Sequence, residues 1–237
     1  MPRTVHVIGN GDSSSLYLKE KRIGLKLTCN QIPFEIPDKW ATVMVDFKMM
    51  DALTKYHNGD YSNGLAIPGN WVLGYRPQRW MGDRPNFYMA KAPQIREFYI
   101  DLPRYTWDPQ KGEGKGQGYT NWNCGHMATH YACNRLKADT VHLYGFDSIF
   151  DFNMNSFTDL VLSSDRGLMN SQRLSSNWRP IWEKMFLEFP ETNFIFHYHH
   201  DKFKVKIQKN VEARVYKRDD GTDKPEDVNF DTLGQDL

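Results

Sequence analysis

Thr4-Val5-His6-Val7-Ile8-Gly9-Asn10-Gly11-Asp12-Ser13-Ser14-Ser15 is the stretch on which the fold reading turns. Val5, Val7 and Ile8 form a short β-branched run, the composition of a buried strand that begins almost at the first residue. Gly9-Asn10-Gly11 ends it, and glycine there permits a tight turn and close approach of backbone to a ligand. Asp12 and three serines follow, all good N-cap residues, so a helix is expected to start there. Strand, glycine turn and helix N-terminus in succession present backbone N–H groups and a positive helix end to a phosphate. A nucleotide site at this turn is the first functional expectation.

Outward from that turn, strands and helices alternate. Residues 25–29 read as a second strand that delivers Asn30 and Gln31 to its end, and 42–45 as a third that delivers Asp46. Residues 51–56 suit a short helix, 70–75 and 86–89 suit strands of weaker pattern, and 93–117 read mostly as loop. A helix is expected over 126–137, with Met127, Ala128, Tyr131, Ala132 and Leu136 inward. A strand over 140–144 runs into Gly145-Phe146-Asp147. A further helix over 178–189 turns Trp182, Met185, Phe186 and Phe189 inward and is stopped by Pro190. The last clear strand, 193–196, runs into His197-Tyr198-His199-His200-Asp201. Lys202, Lys204 and Lys206 alternate with Phe203, Val205 and Ile207, the pattern of an edge strand paired with 211–216.

This alternation is the signature of an α/β fold: a Rossmann-like open, mainly parallel sheet flanked by helices, with its site at the carboxyl edge. A single domain over 1–216 is expected, with a loop-rich insertion or lid around 90–120. Residues 217–237 are charged and poor in core formers, so a disordered polar tail is expected there.

With 237 residues, 40% hydrophobic and 14% aromatic, the chain can bury a full core. A formal net charge of +1 gives no reason to expect a nucleic-acid partner. The three cysteines, Cys29, Cys124 and Cys133, are an odd set without metal-type spacing, which fits a reducing compartment. No apolar run is long enough to span a bilayer, so a cytoplasmic protein is the expectation.

Gly9-Asn10-Gly11-Asp12-Ser13-Ser14 approaches the dinucleotide pattern G-x-G-x-x-G but has serine in the third place. An NAD site also wants an acidic residue about 20 positions further on to hold the ribose, and Cys29-Asn30-Gln31 stands there instead. Neutral amides at a strand end suit a ribose or base edge, each offering donor and acceptor; capping a turn is the structural alternative. Glycine recurs at every second position over 112–118, but no Gly-Lys-Ser/Thr closes a P-loop. A lid over a site and a flexible connector are both open readings.

Four segments occur in order: Ile8-Gly9-Asn10-Gly11-Asp12-Ser13, Thr28-Cys29-Asn30-Gln31, Asn123-Cys124-Gly125 and Leu143-Tyr144-Gly145-Phe146-Asp147. Together they resemble the bacterial sialyltransferases that use CMP-sialic acid, whose pattern is Gly-Asn-Gly-Pro-Ser, Cys-Asn-Gln, Thr-Ser-Gly and Ser-Gly-Ile-Asp. The resemblance covers roughly residues 4–200, in islands. It implies a metal-independent glycosyltransferase that moves a sugar from a CMP-activated donor to an unknown glycan or small-molecule acceptor. Gly9, Asn10, Gly11 and Ser13 would then surround the cytidine phosphate and sugar. Asn30 and Gln31 would contact the nucleotide or donor sugar, and Asp46 stands where the family has an asparagine. Cys124 and Gly125 would face the phosphate at a helix start, and Asp147 matches the family's aspartate.

The departures concern catalysis. Asp12 replaces the family's proline, and Ile149, Phe150, Phe152 and Phe157 fill the region where two tyrosines follow the aspartate. The histidine expected as general base in the next loop has no counterpart between Asp159 and Asn177. Other histidines are candidates, because an imidazole titrates near neutrality. His197 and His199 share a face by the two-residue period. His126 lies at a helix start, where a capping or packing role competes with that of a base. His6 and His142 read as satisfied core residues. A metal site built from His197, His199 and Asp201 or Asp46 is a further option. The aromatics Trp71, Tyr75, Trp80, Phe87 and Tyr88 read as a satellite core, with stacking on a sugar or base as the alternative. Two other function classes stay open: an inactive nucleotide- or sugar-binding protein on the same fold, and a Mg²⁺-dependent phosphotransferase using Asp12, Asp46 and Asp147.

Overall fold

The computed structural model describes residues 3–19, 22–103, 105, 122–147, 178–201 and 203–216. Eight strands form one sheet: β1 (Thr4–Ile8), β2 (Leu25–Cys29), β3 (Ala41–Met44), β4 (Trp71–Leu73), β5 (Ile95–Phe98), β6 (Thr140–Tyr144), β7 (Asn193–Tyr198) and β8 (Val211–Val215). Their order is β5-β4-β3-β2-β1-β6-β7-β8, and every neighbouring pair is parallel. The chain steps outward from β1 through β5, then returns to the other side of β1 for β6. The topological switch point, where open α/β sheets bind ligands, therefore lies between β1 and β6 at their carboxyl ends.

Among the described residues the α-helices are α1 (Phe47–His57), α2 (Tyr75–Gly82), α3 (Pro85–Lys91), α4 (Cys124–Asn134) and α5 (Arg179–Glu188), with a 3-10 helix over Asp12–Lys19 behind the first turn and a short 3-10 turn over Ala92–Gln94. A parallel sheet is covered on both faces, so its strands are apolar nearly throughout. Every residue of β3 and β4 is buried. On one face Val5, Val7, Leu27, Val43, Val141, Leu143, Phe194 and Phe196 pack against Met127, Ala128, Tyr131 and Ala132 of α4 and Ile181, Trp182, Met185 and Phe186 of α5. Ala128 and Ala132 let α4 approach the sheet closely, while α5 closes over its other side, which is why α4 is buried from Cys124 to Cys133. On the opposite face Ile8, Leu16, Tyr17, Ile32, Ile36, Tyr144 and Tyr216 form a smaller core under the 3-10 helix.

The α/β reading holds, with corrections at the periphery. Residues 86–89 are not a strand: Pro85 sits at the first turn of α3, where its missing N–H costs nothing, and Phe87 is its buried anchor. The strand at 70–75 is shorter, since Gly74 is already the N-cap of α2. Within the stretch read as loop, Ile95–Phe98 forms the edge strand β5; an edge strand half-exposed on both faces carries little alternation to detect. Residues 203–208 form no strand, and Val211–Val215 pairs in parallel with β7 instead of with them. The helix expected from residue 126 begins at Cys124. The aromatic cluster is a satellite core: Trp71 and Phe87 are buried with Met44, Met49, Met50, Leu53, Leu73 and Met81, and Trp80 packs against them. Tyr75 and Tyr88 stay exposed. The glycine series 112–118, Ile149, Phe150, Phe152, Phe157, residues 159–177 and the tail 217–237 lie outside the described residues. Among those described, no helix is long and apolar enough to cross a membrane.

Candidate functional site

The site is built on contact between two turns. After β1 the backbone passes directly over the turn that follows β6: the Gly9 N–H donates to the Tyr144 carbonyl at 2.7 Å, and the Gly11 N–H to the Gly145 carbonyl at 3.0 Å. A Cβ on Gly9 would lie 2.5 Å from the Gly145 oxygen, and one on Gly11 would lie 2.5 Å from Asp147 Oδ2. Gly145 itself has φ of +72°, a left-handed conformation that glycine adopts without cost. The close approach foreseen for this glycine turn is thus made to the protein's own second turn. Asn10 lies between the two glycines, half-buried, while Asp12 is exposed.

Asp147 occupies the start of the 3-10 helix. Its Oδ2 accepts the Ser13 N–H at 2.9 Å, and its Oδ1 accepts the Ser13 hydroxyl. Ser13 Oγ in turn accepts the His199 N–H at 3.2 Å. The Oδ1 atom also pairs with His200 Nε2 at 3.0 Å. Burial pushes the Asp147 carboxyl up, but hydrogen bonds from His200 and Ser13 outweigh it and hold the group below the ordinary carboxylate value. His199 lies half-buried beside it, its Nε2 3.4 Å from the Ser15 hydroxyl.

One strand further along, Asn30 ends β2 with φ of +52°, a left-handed conformation that asparagine tolerates better than most residues. Its Oδ1 accepts the Cys124 thiol at 2.9 Å from the first residue of α4. Burial pushes that thiol well above its ordinary value, with the charge of Asp46 adding to the shift. Asp46 is the N-cap residue of α1 and lies 3.6 Å from Arg76 on α2. Gln31 is half-buried, its amide 3.4 Å from the Ile32 carbonyl. Gly125 joins the two clusters, because a Cβ there would strike the ring of Phe146, between Gly145 and Asp147. Asn123 caps α4 by accepting the His126 N–H at 2.9 Å, and His126 Nδ1 returns the bond to the Asn123 N–H. The other ring nitrogen of His126 meets the Trp178 carbonyl at 3.1 Å, and burial drives its pKa down to about 3. His126 is therefore a cap.

His197 sits elsewhere. It is 1% exposed, its Nε2 is 3.0 Å from His142 Nδ1, its Nδ1 is 2.9 Å from the Tyr216 hydroxyl, and its ring stacks on Tyr144. Burial, then the charge of neighbouring groups, lowers its pKa to about 2, so both ring nitrogens serve the protein interior. His6 stacks on His142 from the adjacent strand. These three histidines form a cross-strand ladder on the sheet face under the 3-10 helix.

Of the residues singled out in the sequence, Gly9, Asn10, Gly11, Ser13, Asn30, Gln31, Asp46, Cys124, Gly125, Asp147 and His199 lie at the carboxyl edge. The residue that sequence reasoning passed over is His200. Period-two alternation selected 197 and 199, but the strand ends at Tyr198 and the chain bends, so alternation no longer assigns faces. Among the described residues no three of His, Cys, Asp and Glu come together to hold a metal ion. Asp12, Asp46 and Asp147 each keep a separate environment. No family model, curated protein or solved structure matches this chain.

Proposed function

We propose that the protein binds a nucleotide-activated sugar, CMP-linked by the resemblance of its motifs, and transfers the sugar to an acceptor hydroxyl. The observation that carries this reading is convergence: the ends of β1, β2, β3 and β6 and the start of α4 meet at the switch point with amides, a carboxylate and histidines. Such a polar strand edge suits a ligand with a polar base, a ribose and a phosphate. The phosphate would lie toward Cys124 and Gly125 at the start of α4, since Asp147 fills the first turn. Transfer needs a base for the acceptor hydroxyl and stabilisation of the leaving phosphate.

The test is calorimetric titration with CMP, ATP and UDP, with and without Mg²⁺, followed by assay of CMP-sialic acid and CMP-Kdo consumption. CMP binding without metal together with donor consumption supports the proposal. ATP binding that requires Mg²⁺ would move the reading to phosphoryl transfer, and absence of CMP binding would refute the nucleotide assignment.

A second reading, a binding protein without transfer, is favoured by a separate observation. His197 is bonded through both ring nitrogens inside the sheet, which removes it as a base. CMP binding with no donor consumption would select that reading.

A further inference from the structure

The pairing of His200 with Asp147 has the geometry of a proton-transfer dyad, and it joins the aspartate of the fourth motif to a histidine that no motif marked. Asp147 is 1% exposed and pinned from two sides by Ser13, whose hydroxyl is itself fixed by the His199 N–H. A carboxylate held so rigidly, and kept ionised by its bonds, fixes whatever imidazole it touches. It accepts from His200 Nε2 at 3.0 Å, which sets the neutral ring as the Nε2–H tautomer and places the basic lone pair on Nδ1. The His200 side chain retains 17% exposure, whereas that of Asp147 retains 1%. The pair stands where the turns after β1 and β6 and the end of β7 meet, at the edge that the donor would occupy. Two other histidines of the region differ: His126 caps α4, and His197 is sealed within the sheet.

We infer that His200 is the proton acceptor of the transfer reaction and that Asp147 is its positioning residue; this rests on the glycosyltransferase reading above. In the step, the acceptor O–H bond breaks and its proton passes to His200 Nδ1. The acceptor oxygen bonds to the anomeric carbon, and the bond from that carbon to the phosphate oxygen breaks. The electron pair leaves with CMP. Asp147, already anionic, offsets the positive charge that His200 acquires, as a buried carboxylate does behind a catalytic imidazole. No oxidant, reductant or metal enters the balance.

The experiment uses the full chain and whichever of CMP-sialic acid and CMP-Kdo the wild type consumes, with CMP release as the readout and water or an added sugar as acceptor. His200→Gly is expected to keep its circular-dichroism spectrum and its CMP affinity while turnover falls about 100-fold or more. Added imidazole should restore part of that turnover in His200→Gly and leave wild type unaffected, a response that a structural role would not produce. Asp147→Asn, which keeps the side-chain shape but removes the charge and turns one of the two acceptor oxygens into an amide donor, should lower kcat with KM for the donor unchanged. Turnover unaltered in His200→Gly, or a loss that imidazole does not rescue, overturns the assignment of His200 and leaves the nucleotide reading standing. CMP binding by wild type without donor consumption also overturns the dyad, in favour of the binding-protein reading. A wild type that binds no CMP refutes the nucleotide site, and the dyad's role falls with it.

Discussion

Ser13 and Asp147, 134 residues apart in the chain, are joined twice, backbone N–H to Oδ2 and hydroxyl to Oδ1. The pair fastens the turn after β1 to the turn after β6, across the point where the sheet changes direction. An internal carboxylate there neutralises the helix start, in the place that a ligand anion would otherwise take.

The first expectation concerns that pair and acid. Asp147 has a folded pKa below the ordinary carboxyl value of about 4, because hydrogen bonds from His200 and Ser13 outweigh the opposing effect of burial. Its stabilising contribution is therefore complete above about pH 4 and is lost as pH falls through the folded pKa. Asp147→Ala, which leaves the buried Ser13 N–H without its acceptor, should cost about 2–4 kcal/mol at pH 7. Urea denaturation of wild type and variant at pH 7 and pH 3 measures both effects. An equal difference between the two proteins at both pH values would contradict the linkage.

Glycine at position 11 is required by space. A Cβ would meet Asp147 Oδ2 at 2.5 Å and the Gly145 oxygen at 2.8 Å, and one of these is backbone that cannot rotate away. Gly11→Ala should destabilise the fold by about 1–3 kcal/mol and displace Asp147, weakening CMP binding as well. Gly59→Ala would meet no atom within 4 Å, although its φ of +89° gives it a backbone cost of its own. Thermal melts with and without CMP separate the two: only Gly11→Ala should reduce the ligand-induced rise in Tm.

The histidine ladder predicts a second, higher acid transition. Burial lowers His6, takes His142 to about 4 and takes His197 to about 2, with nearby arginines adding to the effect. The unfolded chain titrates near 6.5, so between that value and about pH 4 the unfolded state binds more protons. Stability is full above about pH 6.5 and declines as pH falls below it. His197→Phe should lose about 1–3 kcal/mol at pH 7, because His142 and Tyr216 lose their partner, yet show a shallower decline between pH 6.5 and 4. Parallel melting curves across that range would count against the ladder's neutrality.

Thiol chemistry offers a test of the second cluster. Cys29, Cys124 and Cys133 are all buried, and burial raises each thiol, Cys133 to about 12. A thiol so placed supplies almost no thiolate at neutral pH. The native protein should react with Ellman's reagent only as fast as it unfolds, and all three thiols should react at once in denaturant. Asn30→Ala, which removes the acceptor of the Cys124 thiol, should speed labelling of Cys124 alone.

Much of this architecture could be read from local chemistry. The run Val5-His6-Val7-Ile8 before Gly9 predicted β1 and its turn because a strand and its end are set by neighbours in sequence. The apolar face of α5 follows from helical spacing, with Trp182, Met185 and Phe186 buried as their period requires. The edge strand β5 and the short helix α3 were not legible, because half-exposed elements of four to seven residues carry too few residues for a period to emerge. The candidate site divides in the same way. By itself the sequence determined that polar groups stand at strand ends: Gly9, Asn30, Asp46 and Asp147 each follow an apolar run. Which of them meet was decided only by the return of the chain across β1 to form β6, a crossover over about 40 residues that no local spacing encodes. That crossover brings Asp147 onto Ser13, and the bend after Tyr198 brings His200 onto Asp147, since both contacts depend on long-range packing of the sheet.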